Sequence, residues 1–260
     1  CLKTYTTADA LRFTRRHYRP ENAVFFLSGD IEGKKAARTL KRLFEKYPIP
    51  EPEPAEKAFA AAPSEQISAP AAHCFDVSVN KDTHQAHVMI GTPTFGGSDG
   101  RRFALLLLNN MLGGPGMSSR LNIALRERAA LVYSVDSYIS TYPDAGYWHV
   151  YFGCDGADVP RCCRLVRREL RRLAETPLTP ARLAAAKAQL CGQIGIAQDN
   201  GESRALALGR TYAEYGTVRD VALLRRNIEA VTAEDIRSLA AEIFAPERLC
   251  RLVYMPKAED

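Results

Sequence analysis

Two residues seven positions apart, Arg126 and Tyr133, carry a guanidinium and a phenol, side chains capable of polar chemistry on a substrate backbone. A guanidinium presents a planar fork of donors that fits a carbonyl or carboxylate, and it keeps its charge. A phenol donates one hydrogen bond. Either group, aimed at a developing oxyanion, stabilises an acyl-transfer transition state. Both lie in the stretch Leu112 to Cys154, which opens with the glycine-rich turn Gly113-Gly114-Pro115-Gly116. There the backbone can take positive φ and the proline fixes its own. Ser118 or Ser119 offers a hydroxyl to cap a helix whose apolar stripe is Leu121, Ala124 and Leu125. Val132 to Thr141 then reads as a strand, Tyr142 to Gly146 as a turn and Tyr147 to Phe152 as the returning strand. A helix carrying Arg126 thus feeds into a hairpin whose first strand carries Tyr133. The cation and the phenol meet at the junction.

Other groups that could do chemistry lack the right spacing. The five histidines are His17, His73, His84, His87 and His149. None belongs to an H-x-x-E-H pattern, which would set two histidines on one helix face with a glutamate to activate water. His84 and His87 are three apart in a period-two stretch, so they point to opposite faces, and the adjacent pair His73-Cys74 meets the same objection. All five read as structural or surface histidines, and this chain has no metal-ligand set. The Gly113 to Gly116 turn lacks the Gly-Lys-Ser/Thr ending of a phosphate loop. It reads as a tight connection. Arg161, Arg164, Arg168, Arg171 and Arg172 occupy the polar face of a helix whose stripe includes Val159, Val166, Leu170 and Leu173. Cys162 and Cys163 fall on its apolar side and read as buried thiols.

The surrounding elements indicate where these residues are held. Cys74 to Val79 and His84 to Gly91 alternate as strands, with Asn80-Lys81-Asp82 as a turn, and Arg101 to Leu112 is a leucine-rich helix. Helices follow over Pro180 to Gln198, Ser203 to Tyr215 and Val218 to Ala230. This mixture predicts an α+β domain, an antiparallel sheet with helices packed on one face. The two ends of the chain resemble each other. A helix opening at Thr7-x-Asp9 and stopping at Tyr18-Arg19-Pro20-Glu21 precedes a short buried strand, Ala23 to Leu27. A helix opening at Thr232 and stopping at Phe244-Ala245-Pro246-Glu247 precedes the strand Leu249 to Tyr254. An offset of about 225 residues exceeds any solenoid period, so the simplest account is two copies of one domain with only the tail of the first present. The expected organisation is that tail over 1–47, a Pro/Ala-rich linker over 48–71 holding six of the fifteen prolines, and a complete second domain over 72–260.

Composition excludes several classes. With 30 acidic against 35 basic residues, the net charge of +5 is too mild for a dedicated nucleic-acid binder. The longest apolar run, Phe103 to Leu108, is too short to span a membrane. Seven cysteines without a C-x-x-C pair read as reduced thiols and point to the cytoplasm, with the periplasm as the alternative. A first residue other than methionine suggests a trimmed or fragmentary chain.

One family resemblance gathers these features. The run Gly116-Met117-Ser118-Ser119-Arg120-Leu121, then Leu125-Arg126-Glu127-Arg128 and Leu131-Val132-Tyr133-Ser134-Val135, resembles the second, non-catalytic half of the pitrilysin/insulinase family of zinc metallopeptidases. With its surroundings the likeness spans essentially the whole chain. It departs at Val132, where glycine or alanine is more usual, and at Ala129-Ala130, where lysine-glycine is common. Without the resemblance, Arg126 and Tyr133 read as an ordinary surface arginine and strand tyrosine. The resemblance implies that the pair reaches into the active site of the first half, Tyr133 donating to the scissile carbonyl and Arg126 anchoring the peptide backbone. It also implies a peptide substrate and a catalytic H-x-x-E-H half, on the same gene or as a separate subunit, that supplies zinc. Halves without a zinc site also serve as structural subunits, which is the competing expectation, and a homodimer is a further one.

Overall fold

The computed structural model describes residues 2–47, 74–218 and 220–257. These fall into two compact units, Cys1–Ile67 with Ile196–Arg219, and Ser68–Gly195 with Asp220–Asp260. The linker expected over 48–71 lies outside the described residues.

The larger unit is built on a five-stranded sheet: β1 (Asp76–Lys81), β2 (Ala86–Phe95), β3 (Val135–Thr141), β4 (Ala145–Cys154) and β5 (Cys250–Pro256), in the order β1-β5-β2-β4-β3. Four strands are mutually antiparallel and β1 is added parallel to β5. The Asn80-Lys81-Asp82 turn therefore does not close a hairpin. The last strand of the chain returns from far along the sequence and takes the slot between β1 and β2. Alternation decides which face is buried. On β4, Trp148, Val150, Phe152 and Cys154 are sealed, while Tyr147, His149 and Tyr151 between them are not.

The sealed face packs into one apolar cluster with helices α3 (Arg102–Gly113), α4 (Val159–Glu175), α5 (Pro180–Asp199), α7 (Val221–Ala230) and α8 (Ala233–Ile243). This is the α+β arrangement expected, with helices on one side of the sheet. Trp148, fully buried, meets Phe244 edge-on at 4.7 Å, and its Nε1 donates to Asn109 Oδ1 of α3 at 3.0 Å. Ser137 Oγ of β3 donates to the same amide oxygen. One α3 side chain thus satisfies two buried donors on two strands.

The opposite sheet face carries His149, stacked between Tyr138 (5.2 Å) and Tyr147 (5.7 Å), and His87, whose Nδ1 lies 2.7 Å from the Tyr151 hydroxyl. Burial holds the His149 pKa below the ordinary histidine value. Behind the sheet, Cys162 and Cys163 are buried on α4; a hydrogen bond with Cys162, together with burial, pushes the Cys154 thiol up, and burial does the same for Cys163. The Cys154 and Cys163 thiols stay protonated and pack as small apolar groups.

The smaller unit holds α1 (Thr7–His17), α2 (Gly33–Lys46) and α6 (Gly201–Tyr215), and none of its described residues is buried. Asn200 caps α6 by accepting from Ser203 N at 2.9 Å, and Gly216 closes it at φ +67°, a left-handed turn that glycine adopts without penalty. The segment from Ala23 to Leu27, expected as a short buried strand, is neither buried nor a strand. Among the described residues its main chain has no neighbouring strand to pair with, and a lone strand has no ladder to stabilise it.

Candidate functional site

The junction predicted to bring Arg126 and Tyr133 together exists, although its parts differ from expectation. Helix α3 ends at Gly113 with ordinary negative backbone angles, so positive φ is not why glycine is needed there. The reason is proximity. A Cβ on Gly113 would lie 2.7 Å from Ser137 N of β3, and one on Gly114 would sit 2.6 Å from the Asn110 carbonyl. Among the described residues no serine hydroxyl caps the helix that follows, and Ser119 Oγ is buried with no hydrogen-bond partner there. Arg120 secures its start instead, with Nε donating to Glu169 Oε2 of α4 at 3.3 Å.

Glu169 is buried, and it also accepts from Arg172 at 2.8 Å and pairs with Arg168 at 3.5 Å. Sequence reasoning overlooked this clamp. The signal was a carboxylate three positions after Val166 and beside Leu170, on an otherwise apolar stripe. A buried acid needs cationic partners, and three arginines meet here.

The helix itself is π-helical over Asn122–Glu127, with Ala124 and Leu125 buried. π-turns add a residue to each ring and re-aim the side chains they carry. The chain leaves it through Ala130 at φ +50°, while Ala130 N donates to Arg126 O at 3.0 Å and Leu131 N to Leu125 O at 2.9 Å. These bonds hold the chain to the helix end, so the ladder with β4 begins only at Val135, opposite Phe152. Tyr133 therefore precedes the strand instead of lying on it. Val132 and Val135 are buried on either side, and Tyr133 between them is 89% exposed. The extra bulk of Val132 goes into the core and leaves Tyr133 free.

The Arg126 guanidinium carbon lies 5.9 Å from the centre of the Tyr133 ring, within cation–π reach. Arg126 Nε also lies 3.6 Å from Glu127 Oε1, a half-exposed pair of little energetic weight. Among the described residues the Tyr133 hydroxyl has no hydrogen-bond partner. The site thus offers solvent one phenolic donor beside a guanidinium fork, on a backbone ledge anchored by Val132, Val135 and the Arg120–Glu169 clamp.

Ala130 is the strained point of this ledge. A left-handed non-glycine residue costs about 1–2 kcal/mol, whereas glycine adds roughly 0.5–1 kcal/mol of unfolded-state freedom. Ala130→Gly is therefore expected to stabilise the chain by about 0.5–1 kcal/mol, read as a higher urea midpoint at unchanged slope. An unchanged or lower midpoint would show that the turn carries no strain.

The described residues do not form a zinc site. Among the described residues no three His, Cys, Asp or Glu side chains are grouped to hold a metal ion. His87 and His149 are engaged with tyrosines on the open sheet face. No described helix is long and apolar enough to cross a membrane.

Comparison with known proteins agrees with this architecture. The family model described as the peptidase M16 inactive domain matches residues 4–190. An uncharacterized zinc protease of Streptomyces coelicolor is 33% identical over 238 residues, covering 91% of this chain and 51% of that protein. Another, from Bacillus subtilis, is 26% identical over 246 residues, covering 94% and 57%. The chain thus spans little more than half the length of these relatives. Among solved structures, a protease from Helicobacter pylori superimposes with a TM-score of 0.83 at 18% identity over 98% of this chain and 60% of that one. A peptidase M16 inactive domain from Pseudomonas fluorescens gives 0.74 at 18% identity, over 99% and 59%. The fold is shared with both, the family resemblance read from the sequence holds, and the chain belongs to the peptidase M16 family, matching its inactive domain.

Proposed function

We propose that this chain forms the second wall of a peptide-binding chamber in a two-part zinc metalloendopeptidase, and that it lends Arg126 and Tyr133 to an active site whose H-x-x-E-H half lies outside it. The observation that carries this reading is the exposed, unpartnered Tyr133 hydroxyl held beside the Arg126 guanidinium. In peptide hydrolysis the carbonyl oxygen of the attacked bond gains negative charge. A phenol aimed at that oxygen donates a hydrogen bond that strengthens as the charge grows. The guanidinium fork holds a neighbouring backbone carbonyl and fixes the peptide's register. Zinc, held entirely by the other half, would supply the water-activating chemistry. The substrate is an extended peptide, and the compartment is the cytoplasm.

The test is reconstitution. The 260-residue chain alone is expected to bind no zinc and cleave no peptide. The product of the full-length gene, or this chain mixed with an H-x-x-E-H partner, is expected to carry about one zinc and cleave a fluorogenic peptide library. A zinc-loaded assembly without turnover would overturn the reading in favour of a structural subunit.

A further inference from the structure

The two carboxylate oxygens of Glu169 are divided between two helices. Oε1 accepts from Arg172 Nη1 at 2.8 Å and pairs with Arg168 Nε at 3.5 Å, both on α4 itself. Oε2 accepts from Arg120 Nε at 3.3 Å, at the start of the helix that carries Arg126. The Glu169 side chain is 6% exposed, so these charge-assisted bonds are shielded from water. Through one oxygen its own helix neutralises and orients the carboxylate. The other oxygen is left for Arg120.

The Arg120 helix needs such an anchor. It runs from Arg120 to Glu127 and is π-helical from Asn122 onward, and so short a helix is marginal on its own in water. No side chain caps it, and Ser119 Oγ and Asn122 Oδ1 are buried without a partner among the described residues. Leu121, Ala124 and Leu125 are buried, which decides the face it turns to the core. Apolar contacts are non-directional and permit sliding along the axis, whereas a guanidinium bonded to a fixed carboxylate sets the position along it. The far end of the helix is tied to the ledge by main-chain bonds, Arg128 N to Ile123 O at 3.0 Å, Ala130 N to Arg126 O at 3.0 Å and Leu131 N to Leu125 O at 2.9 Å. A shift at Arg120 is therefore passed to Arg126 and, through Ala130 and Leu131, to Tyr133.

We infer that Arg120 and Glu169 are positioning residues for the Arg126–Tyr133 site: they set where the π-helix sits along its axis, and hence where the guanidinium and the phenol meet a peptide. For its effect on turnover this inference rests on the peptidase reading above. For its effect on the ledge it rests on the fold alone.

Arg120→Ala compared with Arg172→Ala is the test. Each removes one cation from Glu169 and leaves the carboxylate its other partners, so neither strands a buried charge. In the 260-residue chain, Arg120→Ala is expected to speed amide exchange at Arg128, Ala130 and Leu131 at least about 10-fold, with Arg172→Ala within about twofold of the parent. In the zinc-loaded assembly, Arg120→Ala is expected to lower kcat at least about 10-fold, the scale of loss that a misplacement of about 1 Å produces. Arg120→Lys, whose ammonium can still meet Oε2, should recover most of that loss. Glu169→Gln should lose as much as Arg120→Ala, because an amide offers one acceptor oxygen where the two helices need two. In a Tyr133→Phe background the Arg120→Ala loss should shrink to about twofold, since the donor to be positioned is gone. Equal factors in both backgrounds would mark a merely structural clamp and overturn the inference. Unchanged exchange in Arg120→Ala, or the same losses in Arg172→Ala, would overturn it too. A wild-type assembly without turnover sinks the peptidase reading alone, and the exchange comparison then decides by itself whether the clamp sets the ledge.

Discussion

Tyr133→Phe in the reconstituted two-part enzyme is expected to lower kcat for peptide cleavage about 100-fold while KM stays within about threefold, the pattern of a donor that acts only when the oxyanion forms. The substitution removes one oxygen from a ring that is 89% exposed. Folding should therefore change by less than about 0.5 kcal/mol, so lost turnover cannot be assigned to unfolding. Arg126→Ala should differ in kind. It removes the peptide anchor and the cation 5.9 Å from the tyrosine ring, so KM rises as kcat falls. Arg126→Lys should rescue little, because an ammonium lacks the two-pronged donor geometry. If the two side chains work as a unit, the double variant loses far less than the product of the single losses. Zinc content should not change in any of them, since none of these residues is placed to ligate it. Undiminished turnover in Tyr133→Phe, or zinc loss in either single variant, would remove the roles assigned here.

The parts of this site legible in the sequence were those set by local rules. The β3–β4 hairpin follows from strict alternation around Tyr142 to Gly146, and the stripe from Val159 to Leu173 marks a one-sided helix. The helix starts near Thr7 and Thr232 were visible in the sequence, although the cap of the first is Thr6, one residue before the Thr7 read as its opening. What stayed hidden depended on distant partners. Nothing near Asn80 indicates that β5 will come between β1 and β2. Tyr133 looked like a strand residue because its neighbours have strand propensity, yet the helix-end bonds to Ala130 and Leu131 postpone the ladder to Val135. Ala23 to Leu27 carries a strand's composition without a strand's neighbours. The Glu169 clamp escaped notice because Arg168 and Arg172 on a polar face look solvated, and Arg120 lies 49 residues away, until one carboxylate is seen to gather all three.

Gly113→Ala should be a strongly damaging small substitution in the larger unit. The added Cβ would stand 2.7 Å from Ser137 N and 2.8 Å from Ser137 Cβ, and the nearer atom is main chain that cannot rotate away. Either the end of α3 lifts from β3 or β3 bends. Both routes pull on the bonds that Ser137 and Trp148 make to Asn109, only four residues upstream. Overpacking of this sort costs about 1–3 kcal/mol, and each buried donor left unpaired adds about 1 kcal/mol or more. A loss of about 3–4 kcal/mol corresponds to a fall in Tm of roughly 6–15 °C for a unit of this size. Circular dichroism melting of Gly113→Ala beside Gly100→Ala is the measurement, since a Cβ on Gly100 meets nothing within 4 Å. Equal melting of the two would mean that the helix end and the strand are not in the close contact described. A selective fall would tie the position of the Arg126–Tyr133 ledge to this contact, because β3 begins two residues after Tyr133 and can move only by taking the ledge with it.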